Sequence, residues 1–243
     1  MNNKTENKKT IFSENESIKH FWDNRAKKYE EDKSLSATNL EEDQDLQKLK
    51  VKLEEEKIGS IVKLSNNDIC LDLGCGLGAW STIISKKVKK VIAVDYSQNM
   101  IDIAANNAKN LSINNIEYIC NDASEFMYNE EFNIIFVSGL LLYLSEKQLN
   151  VLLKNLDKYS KKGTKLILRE PTGIEGRHAI INKYSPALDA MYSALYRTKE
   201  ELVSQFQKIG FELSLDEDMF QEGSPLNKWK ETRLRVYLFK KTK

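Results

Sequence analysis

The chain has no apolar run approaching the roughly 18 residues that a membrane span requires, so no membrane partner is expected. Charge of a single sign is also missing. Lys and Arg number 37 against 36 Asp and Glu, a formal net charge of +1. No overall field draws nucleic acid, and none is expected as a partner, although a local basic patch stays open. Cysteine is scarce, with 3 residues at Cys70, Cys75 and Cys120. They show neither C-x-x-C spacing nor a nearby histidine. They read as small buried side chains rather than ligands, which fits a reducing compartment and implies no metal. Histidine occurs only at His20 and His178. The first twelve residues are too polar for a signal peptide, and a cytoplasmic location is the expectation. There is no internal repeat and no long low-complexity tract.

What is present suits one α/β domain with additions: 243 residues, 41% of them hydrophobic. Residues 1–12 read as a disordered tail. Ser13 and Glu16 have capping-box spacing, and Ile18, Phe21, Trp22, Arg25 and Tyr29 then recur at helical intervals. A polar break at 34–39 precedes a second expected helix over 42–64, with Leu46, Leu49 and Leu53 on one face. From residue 69 short apolar strands alternate with helical stretches. Strands are expected at 69–73, 91–94, 116–120, 133–137 and 165–169, and helices at 79–87, 98–110, 122–127 and 146–159. That alternation implies a doubly wound, mostly parallel sheet. Thr198 with Glu201 and then Gly210 bracket another helix. The strands at 211–220 and 232–240 follow with no helix between, as an antiparallel C-terminal hairpin.

The most informative stretch begins at Asp68 and reads D-I-C-L-D-L-G-C-G-L-G-A-W-S. A strand runs through Asp72 into Gly74, Gly76 and Gly78, and a helix follows. Glycines at alternate positions let the backbone turn tightly and approach a ligand, at the place where an open α/β sheet holds a nucleotide-like cofactor. The dinucleotide fingerprint is G-x-G-x-x-G; here the third glycine comes one residue early. The D-x-G-x-G-x-G form resembles the first motif of the Rossmann-like, class I S-adenosylmethionine (SAM) methyltransferases. The resemblance covers most of the chain from Asp68 onward and implies a seven-stranded sheet whose last strand inserts antiparallel.

That resemblance makes SAM the expected cofactor, without metal. It implies that Asp72 and Gly74 hold the methionine end, that Gly76 belongs to the cofactor set, and that Asp95, ending the V-I-A-V-D strand, accepts the ribose hydroxyls. Asp122 and the Ala123 N–H would meet adenine, with Met100 packed on the ring. Both acids can also be read as helix N-caps, and Met100 as a core residue. Tyr96 and Ser138 belong to the same cofactor set. The segment 13–64 resembles the helical lid of small-molecule members, where Arg25 or Tyr29 would reach the cofactor carboxylate. The remainder, 65–243, is the methyltransferase domain.

Two missing signals narrow the chemistry. After the fourth strand there is no [DNS]-P-P-[YFW] and no Cys beside Pro, as nucleobase methylases would carry. Candidate catalytic groups are His178, the natural base near neutral pH, with Glu170 and Tyr143. The segment 171–198 is expected to build the acceptor site and to hold a helix over 186–196. Arg169, Arg177, Tyr184, Tyr196 and Arg197 are the candidate acceptor-binding residues. The leading expectation is methyl transfer to oxygen or nitrogen of a small polar metabolite: a sugar, sugar nucleotide or amino-acid derivative. A protein or RNA methyltransferase, or a SAM-binding partner without catalysis, is the alternative. The sequence leaves the oligomeric state open.

Overall fold

In the computed structural model the described residues are 15–32, 43–185 and 190–243. The expected tail, Ser13 and the break at 34–39 lie outside them. Helix α1 spans Asn15–Glu31 and α2 spans Gln44–Ile61. Asp43 caps α2 by accepting the Asp45 and Leu46 N–H groups. The buried face of α2 is carried by Glu54 and Ile58, while Leu49 is exposed.

The α/β pattern then follows: β1 (Ile69–Leu73), α3 (Ala79–Ser85), β2 (Lys90–Asp95), α4 (Gln98–Asn110), β3 (Ile116–Cys120), β4 (Phe132–Ser138), a 3-10 turn (Leu141–Tyr143), α5 (Glu146–Tyr159) and β5 (Ser160–Gly173). The remaining elements are β6 (His178–Ser185), β7 (Ala190–Tyr196), α6 (Lys199–Lys208), β8 (Phe211–Asp218) and β9 (Thr232–Lys241). Seven strands form one sheet in the order β3-β2-β1-β4-β5-β9-β8. The first five are mutually parallel, and β9 is antiparallel between β5 and β8. The sheet buries both faces, as parallel sheets must. Leu71, Ile135 and Leu166 face α5 and α6, and Cys70, Ile134 and Ile167 face α2 and α3. Capping boxes start α5 at Ser145 and α6 at Thr198.

Three expectations are corrected. The segment 122–127 is a turn, not a helix. The Asp122 carboxylate takes the Ser124 N–H and hydroxyl, and Phe126 is fixed in the core, so the single turn is not continued. The helix expected over 186–196 is strand β7 where described. It pairs antiparallel with β6, because Tyr192, Ala194 and Tyr196 alternate inward at a strand's period of two. Cys120 is exposed, since β3 is an edge strand. The strand order reverses between β1 and β4, and this opens the crevice in which such sheets bind ligands.

Candidate functional site

A cavity of about 930 Å³ lies over the C-terminal ends of β1, β2 and β4. That is near the top of the roughly 300–1,000 Å³ range of small-molecule sites. Its floor is the glycine loop. Gly74, Gly76 and Gly78 have φ of +74°, +52° and +74°. A side chain at Gly74 would meet Leu140 at 3.2 Å, and one at Gly78 would meet the Tyr118 hydroxyl at 2.8 Å. The early third glycine therefore serves packing against β3 and α4.

Asp95 braces this loop. One carboxylate oxygen accepts the Gly76 N–H at 2.9 Å and the other the Ser97 N–H at 3.0 Å. Asp72 accepts the Ser81 hydroxyl at 2.5 Å. Both acids are buried, and desolvation pushes Asp95 up to about 6 and Asp72 up to about 7. Gly74, Gly76, Asp72, Asp95, Tyr96, Met100, Asp122, Ala123 and Ser138 all line the cavity, so the structure brings this expected set together. Asp122 gives one oxygen to Ser124, and Met100 also packs on Ala26 and Ile103. The core reading of Met100 therefore coexists with exposure to the cavity, whereas no helix follows Asp122 for it to cap, and α4 is capped by Ser97, not Asp95. The Tyr96 hydroxyl is buried without a hydrogen-bond partner. A ligand rich in hydroxyl and amino groups fits this donor set: Asp95 and Asp122 accept, and Tyr96 donates.

The other half of the cavity is aromatic. Trp22 of α1, Tyr143 of the 3-10 turn, and Tyr192 and Tyr196 of β7 line it. Arg169 of β5 pairs with Ser138 of β4, with its guanidinium 2.5 Å from Glu54 of α2 and 3.2 Å from the Ser138 hydroxyl.

Several predicted residues do not line it. Glu170 is buried behind the wall and accepts the Leu140 and Leu142 N–H groups at 3.2 and 2.7 Å. Desolvation raises it to about 7. Arg197 is buried and donates to the Leu141 and Leu144 carbonyls, each at 2.7 Å. Both hold the loop that carries Tyr143, instead of facing a ligand. Arg177 is exposed and paired with Glu146 and Glu201. The His178 ring packs 5.7 Å from Tyr196, outside the lining. Tyr184 is exposed on β6. Arg25 is buried and Tyr29 packs beside Met100, and neither reaches the cavity surface. Glu54, in turn, was not singled out by sequence reasoning. A single acid among the charges of α2 carries no signal until the fold sets it against Arg169. The link from Asp23 of α1 to Ser97, at 2.5 Å, was equally hidden.

A family model described as a methyltransferase domain matches residues 70–163. Over 133 residues the chain is 31% identical to a probable cobalt-precorrin-6B C(15)-methyltransferase (decarboxylating) of Methanocaldococcus jannaschii, covering 54% of this chain and 68% of that protein. A counterpart from Methanococcus maripaludis is 36% identical over 110 residues, which span 42% of this chain and 61% of the relative. Among solved structures, the DhpI-SAH complex superposes with a TM-score of 0.65 at 16% identity, covering 95% of both chains. The fold likeness thus reaches α1, α2 and the β6–β7 hairpin, beyond the matched sequence.

Proposed function

This chain belongs to the Rossmann-like, class I S-adenosylmethionine-dependent methyltransferase family, and we propose that it methylates an oxygen or nitrogen of a small polar metabolite. A sugar, sugar nucleotide or amino-acid derivative is the acceptor class in view. The observation that carries this reading is one shared cavity. The buried acids and glycine loop on one side and the aromatic chamber on the other share it, with α1 and α2 contributing wall residues. Such a chamber suits an acceptor of metabolite size.

In this reading Asp72 and Gly74 hold the methionine end of SAM, Asp95 the ribose, and Asp122 with the Ala123 N–H the adenine. Met100 and Tyr96 complete the adenosine side, and Ser138 borders the methionine. SAM supplies a methyl group activated by a positively charged sulfur. The protein's contribution is alignment. Holding two reactants in register is worth about 7–11 kcal/mol. Glu170 and Arg197 contribute as positioning residues, by fixing the turn that presents Tyr143. The rings exclude water, and Arg169 with Glu54 offers an acceptor both donor and carboxylate. The site is expected to be cytoplasmic, and the acceptor to be free in solution.

Methyl-labelled SAM incubated with the protein and an extract of its source, then separated by size, tests the reading. Label in the small-molecule fraction, dependent on the protein, is the expected result. Label on protein or RNA would move the function to the macromolecular class. Absence of transfer with intact cofactor binding would favour a non-catalytic SAM-binding role.

A further inference from the structure

The acceptor half of the cavity is a corner of rings. Trp22 and Tyr192 each stand nearly perpendicular to Tyr143, at 85° and 83°, with centroids 5.3 and 6.2 Å from it. Tyr196 completes the wall from β7. The hydroxyls of Tyr143 and Tyr192 are 3.5 Å apart, and those of Tyr192 and Tyr196 are 3.0 Å apart. These contacts tie the three hydroxyls to one another, and all four rings line the cavity.

The chamber also lacks a base. Among the described lining residues there is no histidine. Burial drives the three tyrosines upward in pKa, so they stay protonated at neutral pH. Of the lining charges, Asp43 caps α2, Glu54 is tied to Arg169, Asp72, Asp95 and Asp122 stand on the cofactor side, and Lys50 and Lys228 come from α2 and from the loop before β9. A hydroxyl acceptor needs its proton removed as it attacks; a neutral amine does not. Aromatic faces within about 6 Å of a cation attract it. The Glu170 carboxyl lies behind the turn that carries Tyr143, held by the Leu140 and Leu142 N–H groups. Arg197, the cation beside it, is turned toward the Leu141 and Leu144 carbonyls.

We propose that the box of Trp22, Tyr143, Tyr192 and Tyr196 receives a primary or secondary amine and cradles the N-methylammonium product. This rests on the methyl-transfer reading above and chooses nitrogen within it. The amine lone pair forms the new N–C bond as the C–S bond breaks, with its electron pair left on sulfur. The positive charge passes from sulfur to nitrogen, and the surplus N–H proton then leaves to water. The π faces meet a cation at the start and at the end.

The test begins with protein saturated with S-adenosylhomocysteine and titrated calorimetrically with tetramethylammonium and with tert-butanol, an uncharged alcohol with the same number of heavy atoms. The expected result is that the cation binds about tenfold more tightly than the alcohol. Tyr192→Leu should lose about tenfold in that affinity, and Tyr192→Phe, which keeps the ring, should retain it. S-adenosylhomocysteine affinity, measured on the same variants, should not move. Equal binding of the two probes, no binding of the cation, or a Phe variant as weak as the Leu variant would overturn the box. Failure of S-adenosylhomocysteine itself to bind would instead overturn the methyl-transfer reading, and the proposal with it. The labelled product of the extract assay gives a second readout. Label retained on a cation exchanger after mild alkali supports nitrogen. Release as methanol, or an uncharged alkali-stable product, overturns it.

Discussion

Glu170 and Arg197 grip one short loop by opposite backbone groups. The carboxylate takes the N–H groups of Leu140 and Leu142, and the guanidinium takes the carbonyls of Leu141 and Leu144. Both side chains are 2% exposed. The turn closes only two bonds of its own, Tyr143 N–H to the Leu140 carbonyl and Leu144 N–H to the Leu141 carbonyl, and the groups left over are satisfied by two charges, one on β5 and one just after β7. Tyr143 stands on that turn, so its place in the cavity depends on residues that never touch a ligand.

Removing either charge should loosen the turn. Glu170→Ala leaves two N–H groups unpaired, each costing about 1–3 kcal/mol when buried. Denaturant unfolding should show a loss in that range, and Glu170→Gln, which keeps an acceptor oxygen, a smaller one. Wild-type stability in the alanine variant would show that the clamp does not hold the turn.

Asp95→Ala should weaken S-adenosylhomocysteine binding by about 10- to 100-fold, the value of hydrogen bonds to a charged group. It removes the proposed ribose acceptor and also the brace on the Gly76 N–H. Calorimetry gives the affinity, and an unchanged value would remove Asp95 from the cofactor set.

Stability should fall as pH rises. Burial lifts Asp72 and Asp95 from 3.8 to about 7 and about 6, and Glu170 from 4.5 to about 7. The folded state keeps protons that the unfolded chain has released. Their stabilising contribution is complete below the unfolded pKa values and is lost as pH passes through the folded ones. The ligand-free protein should melt at a lower temperature near pH 8 than near pH 5, and Asp72→Asn should flatten the slope. A Tm that climbs across that interval would contradict the assignment.

His178→Asn should leave methyl transfer within about twofold of wild type, because the ring lies outside the cavity and only a group within hydrogen-bond reach can move the proton. A large fall in turnover with unchanged cofactor affinity would return His178 to the mechanism.

Cofactor should tighten α1. Asp23 of that helix accepts the Ser97 hydroxyl, and the Ser97 N–H is bound to Asp95. Hydrogen exchange over Asn15–Glu31 should slow with S-adenosylhomocysteine, and Asp23→Ala should remove most of the gain. Equal exchange with and without ligand would sever the proposed link.

The glycine-loop half of the cavity was legible from the chain because its parts are local. Asp72, Gly74 and Gly76 sit within one strand-to-helix turn, and Asp95 and Asp122 each follow a strand whose apolar run is visible by itself. Parallel strands bring such termini to one edge of the sheet automatically, so reading the order of the strands was enough. The C-terminal hairpin was legible for the same reason. The β7 strand was misread because Tyr192, Ala194 and Tyr196 fit more than one periodicity over so short a run, and only the partner strand β6 selects between them.

The acceptor half was legible only in fragments. Trp22, Tyr143 and Tyr192 are far apart in sequence and belong to a helix, a turn and a strand. Glu54 and Arg169 meet across 115 positions. Glu170 and Arg197 looked like ligand-facing charges, but an unpaired loop backbone claimed them. What the sequence determined alone was the family of the sheet and the acids and glycines along one side of the cavity, because local spacing and strand order specify both. The tertiary structure decided which charges face the cavity and which rings enclose it, because burial of a charge and closure of a wall depend on partners that only packing supplies.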